Sequence, residues 1–399
     1  MRKPLLRIPY TDLLLPSVVT PASASTLPGA IAALHRFFAA PSPAHLPSSA
    51  VILTGAGLSV ASGLADYRGV KGTYRVNKTY RPIYYHEFLN NHEARKRYWA
   101  RSFLGWSSLH KAAPNSGHYA IRDLGNLGLI RSVITQNVDS FHSKAHPDLP
   151  TLELHGYLRS IVCTTCSSEF SRDEFQEDLG RLNPRWAALL KDALASGALD
   201  TEDPAERRFK GIKMNPDGDV DLPDAPYTTF RYPSCPKCLS NSPANADGHQ
   251  HVVQVDPEGA WVPPSTAGVL KPAVVMFGES IATSVKHAAE EAIDSAGKLL
   301  VVGTSLATYS AWRLAKRAQD RGMPIAIISM GGVRGEDKFF LDLDPNQQGE
   351  QGVRVALSTD DLLPGLLSAL RNDVLPPTEE PTALEASMGN HGAFKDMLS

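Results

Sequence analysis

The 399-residue chain contains four cysteines, and they fall into two C-x-x-C pairs: Cys163 and Cys166, then Cys235 and Cys238. Two thiolates separated by two residues can grip one side of a tetrahedral ion, and a second pair completes the shell. This is the ligand set of a closed structural Zn²⁺ site. Read singly, either pair could equally be a redox dithiol or two unrelated loop cysteines; having every cysteine in one of two such pairs favours metal. The spacer from Ser167 to Ser234 is long for a compact zinc ribbon, so it must hold inserted structure. Thiolates that hold zinc need a compartment that does not oxidise them, which disfavours secretion.

Hydrophobic residues make up 42% of the chain and charged residues 21%, which suits a globular protein with a sizeable core. A formal net charge of −2 offers no global electrostatic case for a nucleic-acid partner. No apolar run is long enough to cross a bilayer, so no membrane partner is expected. Residues 1–50 carry Arg2, Lys3, Arg7 and Arg36 against a single acid, Asp12, and are rich in Ser, Thr, Pro and Ala. That composition reads 1–29 as either a mitochondrial targeting segment or a disordered tail, with a matrix location following from the first. Ala30–Ala40 reads as a helix of the main domain, and 372–399 as a loose tail.

Short apolar runs without alternation suit strands buried on both faces of a parallel sheet. Such runs are Ala50–Leu53, Ser132–Ile134, Leu299–Val302, Ile325–Ile328 and Val353–Leu357. Helical stretches lie among them at Glu93–Leu104, Gly117–Gly128, Ser284–Ala296 and Tyr309–Arg321. The alternation predicts an α/β fold: a doubly wound parallel (Rossmann-like) sheet over 30–156 and 271–371, with a smaller inserted zinc-binding module over 157–270. Within the module, Arg172–Leu182 and Pro184–Ala195 read as helices, and His249 and His251 as loop histidines, since four cysteines already close the ion.

The first four of these strands end in glycine or small polar residues: Thr54-Gly55-Ala56-Gly57, Thr135-Gln136-Asn137, Gly303-Thr304-Ser305 and Ser329-Met330-Gly331. Ligands of such folds bind outside the carboxyl ends of the strands, so these ends describe one nucleotide crevice. Glycines at 55 and 57 let a pyrophosphate approach the backbone. A dehydrogenase fingerprint would need a third glycine at position 60, which is Val60, so that pattern fails.

Gly55-Ala56-Gly57-Leu58-Ser59, followed by Ser62-Gly63-Leu64 and Asp66-Tyr67-Arg68, resembles the opening motif of the sirtuins. Thr135-Gln136-Asn137-Val138-Asp139 with His142 resembles their second motif, and Glu153-Leu154-His155-Gly156 their third. The four cysteines, then Lys271-Pro272, Val274-Val275, Phe277-Gly278-Glu279 and Gly303-Thr304-Ser305-Leu306, follow in family order, so the resemblance spans about 31–367. Arg97-Tyr98-Trp99-Ala100-Arg101, Leu182-Asn183-Pro184 with Trp186, and Pro216-Asp217-Gly218-Asp219-Val220 resemble the class II, mitochondrial branch.

The resemblance implies an NAD-consuming deacylase acting on acylated-lysine proteins. It implies that the pyrophosphate lies on Gly55, Ala56, Gly57 and Ser59, and that nicotinamide sits near Asn137 and Asp139 with Ser59 and Asp66 at hand. Tyr67 belongs to the same cofactor-binding set, and Arg68 contacts phosphate or ribose. Gln136 holds the ribose, while Gly303, Thr304, Ser305, Ser329, Met330, Gly331 and Thr359 line the adenosine half. After the glycosidic bond breaks and the acyl oxygen attacks the ribose, His155 acts as general base on a ribose hydroxyl, and the acyl group leaves on ADP-ribose. Asn137 and Asp139 complete the catalytic set. Val274, Val275, Phe277, Gly278 and Glu279 offer a strand edge to the substrate peptide. Read one at a time, His155 could be a satisfied loop histidine, Asp139 and Asp66 local caps and Asn137 a turn residue; His118 and His142 read as structural.

Departures from the family pattern are Tyr67 for the commoner Phe, Leu64-Ala65 for Ile-Pro, Val138 for Ile, and Ser140-Phe141 for a smaller pair. None removes a functional group, but together they leave the acyl preference open, with lipoyl-like or branched chains in view. Two further readings stand beside the deacylase: a protein mono-ADP-ribosyltransferase, and a weakly catalytic NAD-binding regulator.

Overall fold

The computed structural model describes residues 18–76, 80–197, 199, 213–216, 218–222, 225–244, 247–344 and 347–374. Residues 1–17, Asp217 and residues 375–399 therefore lie outside the described residues.

Among the described residues there are eleven strands: β1 (Ala50–Thr54), β2 (Ile130–Thr135), β3 (Thr151–Glu153), β4 (Gly156–Cys163), β5 (Glu169–Ser171), β6 (Lys213–Met214), β7 (Val220–Asp221), β8 (Leu270–Val274), β9 (Lys298–Val302), β10 (Ile325–Ile328) and β11 (Gly352–Val355). Six of them form one parallel sheet in the order β11-β10-β9-β1-β2-β3. The direction of winding reverses between β1 and β9, which opens a crevice at their carboxyl ends.

Alternate residues of a strand point to opposite faces, and here both faces are apolar. Ala50 and Ile52 of β1, with Leu300, Val302, Ala326 and Ile328, pack under the helices Leu27–Ala39, Ser116–Asn126 and Thr359–Val374. Val51, Leu53, Leu299, Val301, Ile325 and Ile327 meet the helices Thr283–Asp294 and Tyr309–Asp320 on the other side. This two-sided burial is why the strands read as unbroken apolar runs. The helix Thr359–Val374 contains Pro364, which removes a helical hydrogen bond at a cost of about 3 kcal/mol. Buried Leu362, Leu363, Leu366, Leu367 and Leu370 each contribute roughly 1.5–3 kcal/mol, which outweighs that cost.

Of the segment before residue 30, the described part, residues 18–29, packs on this domain. Thr20 pairs antiparallel with Arg354 on the outer edge of β11, and Ala24 is wholly buried in the core. An edge strand with open backbone groups needs such a cover. Buried Lys298 ties the same region down, donating to the carbonyls of Phe37 (2.7 Å), Phe38 (3.0 Å) and Ala40 at the end of the first α-helix.

The smaller lobe is built on β5-β4-β8, an antiparallel sheet. It is larger than the expected 157–270 module. Ile83, Phe88, Trp99, Phe103 and Leu104, from the excursion between β1 and β2, share one core with Ile161, Cys163, Phe175, Trp186, Phe230 and Trp261. The helices Arg172–Leu182 and Pro184–Ala195 stand where the sequence places them. Among the described residues, no helix is long and apolar enough to cross a membrane.

Candidate active site

One cleft of about 2290 Å³ runs along the carboxyl ends of β1, β2, β9 and β10 and out beneath the smaller lobe. Every non-cysteine residue singled out above as catalytic, cofactor-binding or substrate-binding lines it. The volume exceeds an ordinary small-molecule pocket of roughly 300–1,000 Å³ and suits two substrates side by side.

At the switch point two loops meet backbone to backbone. Gly57 N–H donates to Gly303 O at 2.8 Å, and Gly303 has φ +62°. A Cβ on Gly303 would lie 2.4 Å from Leu58 N, and one on Gly57 2.7 Å from Gly303 O. Only glycine permits that approach, so the two loops close backbone on backbone at the strand ends and put no side chain of these residues between them. After the loop comes a 3-10 helix, Ala56–Ser62, closed by Gly63 at φ +83°.

Asn137 and Asp139 leave the end of β2 and reach under this loop. Asn137 Nδ2 donates to Gly55 O and Ser59 Oγ, both at 3.1 Å, and Ser59 Oγ donates to Asp139 Oδ2 at 2.7 Å. Burial pushes the Asp139 carboxyl upward, against hydrogen bonds from Phe141 N–H and Ser59. Asp66 is likewise raised by burial, with Gly69 N–H donating to it at 2.7 Å. Arg68 lies over the Tyr74 ring, 5.1 Å from its centroid, and Tyr67 lies beside Tyr74 and Phe277.

His155 follows β3. Its Nδ1 lies 3.2 Å from Gln136 O and its Nε2 2.9 Å from Ser310 Oγ. Burial pushes His155 down to about 4, with the residue half-buried on the wall of the cleft. The Gln136 side chain is pinned at both ends. Its Nε2 donates to Thr54 O (3.1 Å) and Thr304 Oγ1 (2.9 Å), and its Oε1 accepts from Thr308 Oγ1 (3.0 Å). Thr308 and Ser310 belong to no motif quoted above. They meet this site only through tertiary contacts, which sequence spacing does not show.

Gly156, at φ +74°, turns the chain into β4; a Cβ there would sit 2.1 Å from Ala273 O. Val275 N–H donates to His155 O at 2.8 Å, so β8 and the histidine are joined directly. β8 is an edge strand of its sheet, with one side open. Glu279 is turned inward, accepting from Met276 N–H at 2.9 Å and pairing with Lys271 at 3.2 Å. Its carboxylate thus braces the Met276–Glu279 turn, and Phe277 O accepts from Tyr85 N–H at 2.8 Å.

At the far end of the cleft, Ser329 N–H donates to Val355 O, and buried Arg354 donates to Ser329 O at 2.8 Å and also to Gly331 O. Arg354 Nε is paired with Glu336 at 2.6 Å. Met330 stays exposed, and Thr359 is buried at the start of the last helix. Under the smaller lobe, Arg101 and Asp219 form a buried pair at 2.7 Å that also lines the cleft, with Arg101 Nε and Asp219 Oδ1 left without partners.

Behind β1 lies a buried imidazole cluster. His142 Nε2 is 2.9 Å from Thr54 Oγ1, its Nδ1 is 2.8 Å from His146 Nε2, and His118 meets His142 edge to face with ring centroids 5.0 Å apart. None of the three lines the cleft, in keeping with a structural role. Burial and the neighbouring rings push His142 well down and His118 to about 3. Both rings are therefore neutral in the folded state, while the unfolded chain takes up protons below about pH 6.5. Stability is lost as pH falls through that range, by about 2 kcal/mol at pH 5 for His118 alone. Urea midpoints at pH 7.5 and pH 5.0 test this; with His118→Asn the acid loss should shrink, and an unchanged wild-type midpoint would refute it.

The four cysteine sulfurs lie within 4.8 Å of one another. Cys163 and Cys238 are 3.6 Å apart, and Cys166 and Cys235 3.7 Å. Tetrahedral Zn–S bonds of about 2.3 Å place sulfurs about 3.8 Å apart, so spacing and donor chemistry both fit Zn²⁺.

Residues 55–310 match the model of the Sir2 family. The NAD-dependent protein deacylase SIR4 of Batrachochytrium dendrobatidis is 40% identical over 294 residues, which is 72% of this chain and 82% of that protein. The NAD-dependent protein deacylase SRT2 of Arabidopsis thaliana is 35% identical over 74% of this chain and 70% of its own length. The NAD-dependent protein lipoamidase sirtuin-4, mitochondrial, of Homo sapiens is 31% identical over 81% of this chain and 85% of its own. A solved structure from "Structural Basis for the Mechanism and Regulation of Sir2 Enzymes" aligns with a TM-score of 0.53 at 23% identity, covering 86% of this chain and 98% of that one, which shows the fold.

Proposed function

The chain belongs to the Sir2 family and is an NAD-dependent protein deacylase, and within that reaction we propose that His155 is the general base. The observation that carries this is the pose of the ring. Nδ1 is held by a backbone carbonyl, Nε2 faces the cleft, and the burial-lowered pKa keeps the nitrogen free of a proton at neutral pH.

NAD supplies the electrophilic ribose carbon and the ADP-ribose that carries the acyl group away. The chain's residues do the rest. The glycine-lined junction at Gly55, Gly57 and Gly303, where any Cβ would force the two loops apart, receives the pyrophosphate. Asn137, Ser59 and Asp139 form one hydrogen-bonded wall for the nicotinamide. Asp139 and Asp66, both reluctant to ionise when buried, are stabilised as anions by the cationic ring. Gln136, fixed by Thr54, Thr304 and Thr308, orients the ribose. His155 takes the proton of a ribose hydroxyl at Nε2. The open side of β8 at Val274 and Val275, continued by Phe277 and Gly278, receives the peptide as an added strand, with Glu279 bracing the turn. The loops at Ser305 and Ser329–Gly331, and Thr359, line the adenosine end.

A panel of acetyl-, succinyl-, glutaryl-, lipoyl- and long-chain acyl-lysine peptides, scored by nicotinamide release and product mass, tests the reading and names the chain removed. Loss of acyl mass supports it. A gain of ADP-ribose mass would put mono-ADP-ribosyl transfer in its place, and NAD binding without nicotinamide release would leave the regulator.

Replacing Gly303 with alanine should raise the KM for NAD by about ten- to a hundred-fold, since the loop must move by roughly an ångström to clear Leu58 N. Steady-state kinetics with acyl-peptide saturating checks it; a KM within twofold of wild type would show that the loop pair does not shape the cofactor site.

A mitochondrial, matrix location is supported by the basic, acid-poor composition of residues 1–50 and by the mammalian relatives named as mitochondrial. Imaging of a carboxyl-terminal fluorescent fusion, with and without residues 1–17, tests it.

A further inference from the structure

We infer that Ser310 is a positioning residue for the His155 base: in the cofactor-free cleft its hydroxyl holds Nε2 in the one tautomer and ring pose that can accept a ribose proton, and it yields when the ribose hydroxyl arrives. The inference rests on His155 being the base.

Donor and acceptor chemistry fixes the arrangement. The Gln136 carbonyl can only accept, so His155 Nδ1 carries the ring hydrogen. In a neutral imidazole the lone pair is then on Nε2. Ser310 Oγ, 2.9 Å away, must therefore donate to it. A histidine with one anchor can swing or swap tautomers; one held at both nitrogens cannot.

The anchor is rigid. Ser310 sits in the first turn of the helix Tyr309–Asp320, whose Ala311, Leu314, Ala315 and Ala318 are wholly buried against the sheet. Two residues earlier, Thr308 fixes the side chain of Gln136, whose carbonyl is the other anchor of the ring. One short segment thus holds the base from both sides. Helix capping does not account for the serine: its hydroxyl is bonded to His155 across 155 positions of sequence, not to a backbone amide of its own helix.

The hydroxyl serves both protonation states. With the ring neutral it donates to Nε2. When the ribose hydroxyl enters, it takes the single lone pair and displaces the serine hydrogen. Once the proton has moved from ribose oxygen to Nε2, the new N–H can be donated to Ser310 Oγ, which then acts as acceptor. A methyl group can do neither. In the free enzyme the hydrogen bond that Ser310 donates to Nε2 favours the unprotonated ring. Removing the serine donor therefore makes protonation of the free enzyme easier.

The test uses the full chain with NAD and the best acyl-lysine peptide, in four forms: wild type, Ser310→Ala, Ser310→Thr and His155→Ala. Exchange of labelled nicotinamide into NAD reports bond cleavage, which precedes the base; acyl transfer reports the step that needs it. For Ser310→Ala we expect exchange within twofold of wild type and acyl transfer slowed about ten-fold. The acid limb of kcat/KM should move up by about one pH unit. Ser310→Thr, which keeps the hydroxyl, should restore both. An unmoved pH limb and an unchanged rate would make the serine a bystander and overturn the inference. A parallel fall in exchange and transfer would mean damage to the cleft and would also overturn it. Inactivity equal to that of His155→Ala would replace positioning by direct proton relay. If His155→Ala itself kept transferring acyl groups, the base assignment would fail first, which the same data distinguish.

Discussion

Replacement of His155 by alanine is expected to lower acyl-dependent turnover by about 10²- to 10⁴-fold, the usual worth of a general base, with folded stability changed by no more than about 1 kcal/mol. The two expectations belong together. The imidazole makes two polar contacts, to Gln136 O and Ser310 Oγ, and both partners line or border an open cleft where water can replace the ring. The backbone of residue 155 keeps its bond to Val275, so β8 stays in place. Only the nitrogen that receives the proton is lost. The pH dependence gives a second reading of the same group. A base must be unprotonated to act, and burial holds His155 below its ordinary 6.5. The acid limb of the wild-type rate should thus lie below pH 6.5, with activity lost as pH falls through the lowered value and little change across neutrality. Mass spectrometry of the peptide, wild type against variant, with circular dichroism melting on the same preparations, checks both. A variant retaining more than a tenth of wild-type acyl removal would exclude His155 as the base.

Which parts of this site a reader could take from the sequence follows from how far apart the contacting residues are. The strand ends at Gly55–Gly57, Gln136–Asp139 and Gly303–Ser305 are legible because each is a local signal, a β-branched run followed by glycine or a small polar residue, and the fold then brings such ends together. The four cysteines are legible because pair spacing is itself local. Thr308, Ser310, Lys298 and Arg354 are not. Lys298 and Arg354 lie in strands whose apolar neighbours give no hint that a cation there satisfies the carbonyls of a distant helix or loop. Ser310 is an ordinary polar residue until the sheet places it on His155. The extent of the smaller lobe escaped for the same reason, since Trp99 and Phe103 join the cysteines across tens of residues. β3, with three residues at the sheet edge, is too short to show a pattern. The N-terminal segment offers a reader only its composition, which carries no information about the open edge of β11 that Thr20 covers.

Stripping zinc is expected to abolish deacylation altogether, although the ion takes no part in the chemistry. The smaller lobe has little regular structure of its own around the cysteines: Cys166 lies in the turn after β4, and Cys235 begins the five-residue helix Pro236–Ser240. Its core closes over Cys163, Cys235 and Cys238. Without metal, the thiols face one another in two pairs, at 3.6 and 3.7 Å, with no bond to hold the loops that carry them. Metal affinity in such modules is folding free energy, so chelation unfolds them. The consequence reaches the cleft along the chain. β4 ends at Cys163 and begins at Gly156, the residue after His155, while β8 starts beside the cysteine loops and ends at Val274, next to the residue that bonds His155 O. Loosening the cysteine end releases both strands from each other, and with them the base and the peptide-binding edge. One zinc per chain should be found by elemental analysis, and chelation or Cys238→Ser should remove it. Melting should fall by about 10 °C or more, or split as the smaller lobe goes first, and zinc added back to the chelated wild type should restore activity. Metal-free protein that titrates four thiols yet keeps its melting profile and turnover would return the C-x-x-C pairs to a redox or incidental role, and would separate the integrity of the cleft from that of the lobe beside it.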